Sequence, residues 1–252
     1  AEIRPSFNSS NSLLIKILMP LKIFVAGCFF WKPFGLKSSA RFFVEEIFVS
    51  FLAWIIFFAN CLDFLSSVHK STVRDYLARV NDSEYPKAVA AERAKKWGFD
   101  YWDGDRSICY GGYFYIPGRW TPVAKAMIDH YHIKPGDKIL DVGCGKGFLL
   151  YEITLLVPGV EVYGLDISDY AIEHSKEELK GSIQLGNANS LPFEDKYFDL
   201  VYSLNTLHNF HNYNLDKALR EIERVGKKNK YICVESYRNE IDKANLLYWQ
   251  VT

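Results

Sequence analysis

Apolar and polar positions divide the chain into two unlike stretches. From Leu13 to Trp31 and again from Phe42 to Leu65, Phe, Ile, Leu and Trp crowd together with neither a period of 2 nor one of 3.6. The run Ile47–Leu62 is uncharged for about 16 residues, the short end of what crosses a bilayer as a helix. Residues 1–70 therefore read as an apolar, helical leading segment, either a membrane anchor through 47–62 or an extraneous fused fragment. From Tyr85 the pattern becomes that of a globular domain. A helix is predicted over Pro86–Trp97, with Pro at its start and Gly98 as its stop. Tyr101–Trp120, rich in Gly and aromatics without a sustained period, reads as an ordered loop, and Thr121–Tyr131 as a helix. Five strands follow: Lys138–Val142, Glu161–Leu165, Ser182–Leu185, Phe198–Ser203 and Tyr231–Glu235. They alternate with helices Phe148–Leu156, Asp169–Leu179, Asn214–Val225 and Glu240–Tyr248. Such alternation predicts an α/β fold, a doubly wound and mainly parallel sheet with helices on both faces. The strand order expected is 3-2-1-4-5, with ligand at the carboxyl ends where the order reverses. Three regions result: the leading segment 1–70, a helical and Gly/aromatic-rich region 71–130, and the α/β domain 131–252.

Composition narrows the partners. With 30 basic and 30 acidic side chains the formal charge is +0, which gives no general attraction to nucleic acid. The 252 residues hold one α/β domain and an appendage, not two enzymes. Cys28, Cys61, Cys109, Cys144 and Cys233 lie far apart, without a C-x-x-C pair, so neither a metal site nor a disulfide framework is expected.

Candidate chemistry begins at Ile139–Phe148, ILDVGCGKGF, where an apolar strand runs through Asp141 into Gly143, Gly145 and Gly147 and a helix opens. Glycines permit positive φ and close approach of a ligand to the backbone. Such turns serve several nucleotides. Dinucleotide sites favour G-x-G-x-x-G, whereas Phe148 follows Gly147 here, and Asp141 suits a ligand with an ammonium group, as methionine has and NAD lacks. A second element is Val162–Asp166, a strand ending in an acid about 20 residues beyond the turn, placed to accept bonds from ribose hydroxyls; a helix cap is the alternative role. The third is GNANSLPF at 186–193, followed by Phe198-Asp199-Leu200-Val201.

With these three motifs in order, Ser71–Thr252 resembles the class I S-adenosylmethionine-dependent methyltransferases, whose fold is Rossmann-like. The resemblance implies that Gly143, Cys144 and Gly145 line the methionine and ribose of the cofactor, with Asp141, Gly147 and Ile167 beside them. It places Asp166 on the ribose. Asn187 stands where this group usually has Asp near the adenine amino group, Ala188 offers its backbone N–H to the ring, and Leu204 or Asn205 lies under the transferring methyl group. Tyr110–Tyr113 with Arg119-Trp120 looks like a lid, placing Arg119 on the methionine carboxylate and Tyr113 or Tyr115 at the acceptor; an aromatic cluster packed on the sheet edge is the alternative. His208, just past the fourth strand, is the candidate base, or else bonds only to nearby backbone.

The acceptor is expected to be a small molecule methylated on O or N, because Leu204-Asn205-Thr206-Leu207 lacks the tetrad of adenine-N6 enzymes and no Pro-Cys nucleophile occurs. A protein side chain, or a non-catalytic cofactor-binding accessory role, are the alternatives. S-adenosylmethionine is held in the cytosol, so the domain is expected there, tethered if 47–62 is an anchor. Class I domains close with an antiparallel hairpin after a helix corresponding to Glu240–Tyr248. Here that hairpin is missing, so the sequence reads as truncated, and the leading segment is expected to be dispensable because no motif precedes Lys138.

Overall fold

The computed structural model describes residues 14–18, 22–26, 62–68, 82–235, 237 and 239–249. Within the leading segment, β1 (Leu14–Leu18) and β2 (Lys22–Ala26) pair as an antiparallel hairpin. These residues are thus extended where a helix was expected. Of the apolar run 47–62, all but Leu62 lies outside the described residues.

The remaining elements follow as α1 (Lys87–Ala94), α2 (Phe99–Trp102), α3 (Thr121–Tyr131), β3 (Lys138–Val142), α4 (Phe148–Leu156), β4 (Glu161–Asp166), α5 (Asp169–Glu173), β5 (Ile183–Leu185), β6 (Phe198–Leu204), α6 (Asn212–Val225), β7 (Gly226–Cys233) and α7 (Glu240–Trp249). The sheet order is β5-β4-β3-β6-β7 and every neighbouring pair is parallel. This is the doubly wound order expected from the alternation, with the reversal between β3 and β6 opening a crevice at their carboxyl ends.

Alternation along β3 divides the core. Ile139 packs on one face with Met127 of α3, Ile153 of α4 and Tyr202 of β6, whereas Leu140 and Val142 pack on the other with Ala218, Ile222 and Val225 of α6. Asp141 shares the first face. Three elements depart from expectation. The helix expected over Asp169–Leu179 ends at Glu173 and resumes only as a 3-10 turn at Glu177–Leu179. Tyr101–Trp102, expected in a loop, close the short helix α2. And β7 begins at Gly226, directly out of α6, because the polar run Lys227–Lys230 still pairs with β6. Lys230 is buried there, its ammonium bonded to the Lys227 carbonyl and 3.1 Å from Glu223.

The boundary expected at residue 70 crosses this core. Phe64, Leu65 and Val68 are buried in the same cluster as Met127 and Tyr231, and the Phe64 ring lies 4.9 Å from that of Tyr231. Side chains of residues 62–68 thus pack in the core of the sheet domain from upstream of every motif.

Candidate cofactor and acceptor site

The crevice is one cavity of about 930 Å³, and nearly all the residues singled out in the sequence line it. Asp141, Gly143, Cys144, Gly145, Asp166, Ile167, Asn187, Ala188, Leu204, Asn205, Tyr113, Arg119 and His208 all face it. Gly147 does not. It caps α4 at φ +74°, where an added Cβ would strike Ile183 and Leu179, so its role is packing of helix on sheet.

The turn is held in a form only glycine adopts easily. Gly143 has φ +82° and a Cβ there would collide with Thr206; Gly145 has φ +54° and a Cβ there would meet Trp102. The Gly143 N–H donates to Leu165 O at 2.7 Å, and the Gly145 N–H to Asp166 Oδ2 at the same distance. Asp166 Oδ1 accepts the Ser168 N–H at 2.9 Å. Each carboxylate oxygen keeps a lone pair for a further donor. Burial raises the Asp166 carboxyl above its ordinary value, against the pull of these backbone bonds.

Two buried oxygens in the cavity wall have no partner among the described residues: Asp141 Oδ1 and Asn189 Oδ1. Asp141 is 5% exposed and lies beside Tyr202, its register partner on β6, whose hydroxyl acts on the carboxyl as a hydrogen bond. Burial pushes the Asp141 carboxyl well above the usual range; the Tyr202 hydroxyl opposes this and the Asp166 charge adds to it. Unsatisfied buried acceptors are costly, so a cationic group for Asp141 and an N–H donor for Asn189 fit the site. At the adenine corner, Asn187 Oδ1 already accepts the Asn189 N–H at 2.9 Å. Asn189 Oδ1 is thus a further free acceptor in this loop, one not singled out from the sequence; only its place two residues on could have signalled it.

The cavity is also lined by the apolar and aromatic side chains of Leu65, Val68, Tyr113, Trp120 and Phe210, with His208, Asn209, His211, Asn214 and Glu235 among its polar groups. Tyr113 stacks on Phe148 with centroids 5.1 Å apart, and burial pushes its phenol upward, keeping it neutral. Arg119 is exposed at the mouth. His208 is held by Glu235 at the end of β7: Nδ1 accepts the Glu235 N–H at 3.3 Å, while Nε2 is 3.9 Å from Glu235 Oε2. Burial lowers the His208 pKa, with Glu235 acting in the other direction. In this orientation the neutral ring carries its proton on Nε2, so toward the cavity it presents a donor. Glu235 was not singled out from sequence because nothing marks the residue past a strand end as facing this histidine.

A parallel doubly wound sheet with a glycine turn and an acid at the next strand end defines a Rossmann-like nucleotide-binding domain. Residues 133–251 match the family model described as Methyltransferase domain. This stretch is a methyltransferase domain, and the likeness supports S-adenosylmethionine as its cofactor. A demethylmenaquinone methyltransferase of Symbiobacterium thermophilum is 33% identical over 145 residues, covering 53% of this chain and 57% of its own. One from Bacillus cytotoxicus is 38% identical over 125 residues, covering 46% and 51%. A sterol 24-C-methyltransferase of Gibberella zeae is 37% identical over 117 residues, covering 41% and 30%. The chain spans about half the length of the two demethylmenaquinone enzymes.

Proposed function

We propose that the protein transfers the methyl group of S-adenosylmethionine to an oxygen or nitrogen of a small-molecule acceptor. The observation that carries this is that the cavity holding the glycine turn is also lined by aromatic and aliphatic side chains together with the His208–Glu235 pair. The relatives' names, demethylmenaquinone methyltransferase and sterol 24-C-methyltransferase, support a small acceptor, while the choice of oxygen or nitrogen rests on the His208–Glu235 pair. When bound, the cofactor supplies a methyl group already activated by its sulfonium. The chain's work is then alignment and exclusion of water. Asp141 holds the ammonium, Asp166 the ribose, Asn189 with the Ala188 N–H the adenine, and Arg119 the methionine carboxylate. Leu204 and Asn205 form the floor under the methyl group.

The base expected at His208 is replaced by a divided role. With Nδ1 occupied by the Glu235 N–H, His208 Nε2–H orients the acceptor, and Glu235 takes the proton an attacking hydroxyl or amine loses. With the methyl group and its sulfur leaving group supplied by the bound cofactor, the proton lost by the acceptor would go to the Glu235 carboxylate.

Incubation with methyl-labelled S-adenosylmethionine and a cellular metabolite extract tests this. Label is expected in the low-mass fraction, reduced about a hundredfold in His208→Gln with cofactor affinity unchanged. Label confined to macromolecules would favour a protein acceptor, and cofactor binding without any transfer an accessory role; either result contradicts the proposal.

A further inference from the structure

The segment from Trp97 to Arg119 forms a wall of the cavity, and what fastens it lies outside the three motifs. Lys146 sits between Gly145 and Gly147 and its side chain is 3% exposed. Its ammonium donates to Asp103 Oδ1 at 2.9 Å, to Asp103 Oδ2 at 2.7 Å and to the Tyr113 carbonyl at 2.9 Å. All three of its protons are used. Asp103 also accepts the Tyr113 N–H at 2.9 Å and the Tyr170 hydroxyl at 2.8 Å. One carboxylate of the aromatic segment thus gathers the glycine turn and α5, the helix that follows Asp166. Burial opposes its charge, but bonds from Lys146, Tyr113 and Tyr170 keep Asp103 below the usual carboxylate range. Next to it, Trp102 donates from Nε1 to Ser168 Oγ at 2.9 Å while its ring covers Gly145.

Trp102, Tyr110 and Tyr113 form a contiguous aromatic cluster, with Trp102 and Tyr110 stacked at 5.5 Å, and all three line the cavity with Gly143, Gly145 and Asp166. A nucleoside lying along the turn is therefore roofed by the segment that Lys146 and Asp103 tie down. We infer that Lys146 and Asp103 are positioning residues, a buried ion pair that latches segment 97–119 over the glycine turn so that bound cofactor leaves only when the latch opens. The inference rests on the cofactor site described above. A buried pair resists the loss of one partner because the other charge is left unpaired away from water.

The test is stopped-flow tryptophan fluorescence of the full chain with S-adenosylhomocysteine as probe, on folded variants checked by circular dichroism. Lys146→Met and Asp103→Asn should each release the probe at least about tenfold faster while association changes less than about threefold. The double variant should be no faster than the faster single one, because the two residues act as one unit. In the wild type, amide exchange of residues 97–119 should slow when the probe is bound. Dissociation unchanged in a folded variant, or an effect confined to association, overturns the latch. Should both variants fail to fold, Tyr170→Phe, which removes one bond to Asp103, decides: release about threefold faster supports the latch, and an unchanged rate overturns it. Absence of binding to the wild type would instead overturn the cofactor site itself.

Discussion

Asp141 combines high burial with an unpartnered oxygen, which makes it a cost to the unliganded protein and an asset to the liganded one. Its carboxyl is raised above its ordinary value, so the folded state holds the proton more tightly than the unfolded chain does. The stability this gives is present in acid and is lost as pH rises through the carboxylate range. Asp141→Asn is therefore expected to melt higher than the wild type at pH 7, the difference vanishing below about pH 4. The same substitution should weaken S-adenosylhomocysteine by about 1.5–3 kcal/mol, the range of a charge-assisted hydrogen bond. Melting curves at the two pH values and calorimetric titration check both, and a variant no more stable at pH 7 would contradict the burial cost given to this carboxylate. That Asp141 and Asp166 line the cavity was legible in the sequence because each occupies a fixed offset from the glycine turn. Asn189, Lys146, Asp103 and Glu235 were not, because their roles arise from contacts between segments distant in sequence, or, for Asn189, from a loop bend that redirects its neighbour Asn187 onto backbone.

At the scale of elements, the strands and the helices of the sheet were readable from period and turn residues, and α3, β3 and α4 fall where the pattern put them. What misled was polarity. Lys227–Lys230 does not resemble a strand, but the edge position and the bond from Lys230 to the Lys227 carbonyl let charged residues pair in the ladder. The leading segment misled in the opposite sense, since dense apolar sequence without period does not say which residues a domain claims. Leu65 is 3% exposed, packs in the core and lines the cavity. Leu65→Ala is expected to destabilise the protein by about 2–4 kcal/mol in urea titration, as for a buried leucine truncated in a core. Removal of residues 1–61 should leave cofactor binding within about threefold, whereas removal of 1–70 should abolish the cooperative unfolding transition, because Phe64, Leu65 and Val68 go with it. A stable, binding-competent chain starting at Ser71 would contradict the place given to residues 62–68.

Among the described residues the order reversal in the sheet opens a crevice that the glycine turn, the two acids and the aromatic segment line together, which is what the proposed cofactor site requires. Charge balance plays no part in this, and a formal charge of +0 predicts binding through local groups with little dependence on salt. The most direct measurement is calorimetric titration of the full chain with S-adenosylhomocysteine, with NAD and Asp166→Ala in parallel. The expected result is affinity of roughly micromolar order for S-adenosylhomocysteine, no heat with NAD, and a loss of about 1.5–3 kcal/mol in Asp166→Ala, because the proposal puts the ribose on that buried carboxylate. Binding of NAD in place of S-adenosylhomocysteine, or a loss under about 1 kcal/mol on removing Asp166, would contradict the assignment of the cavity.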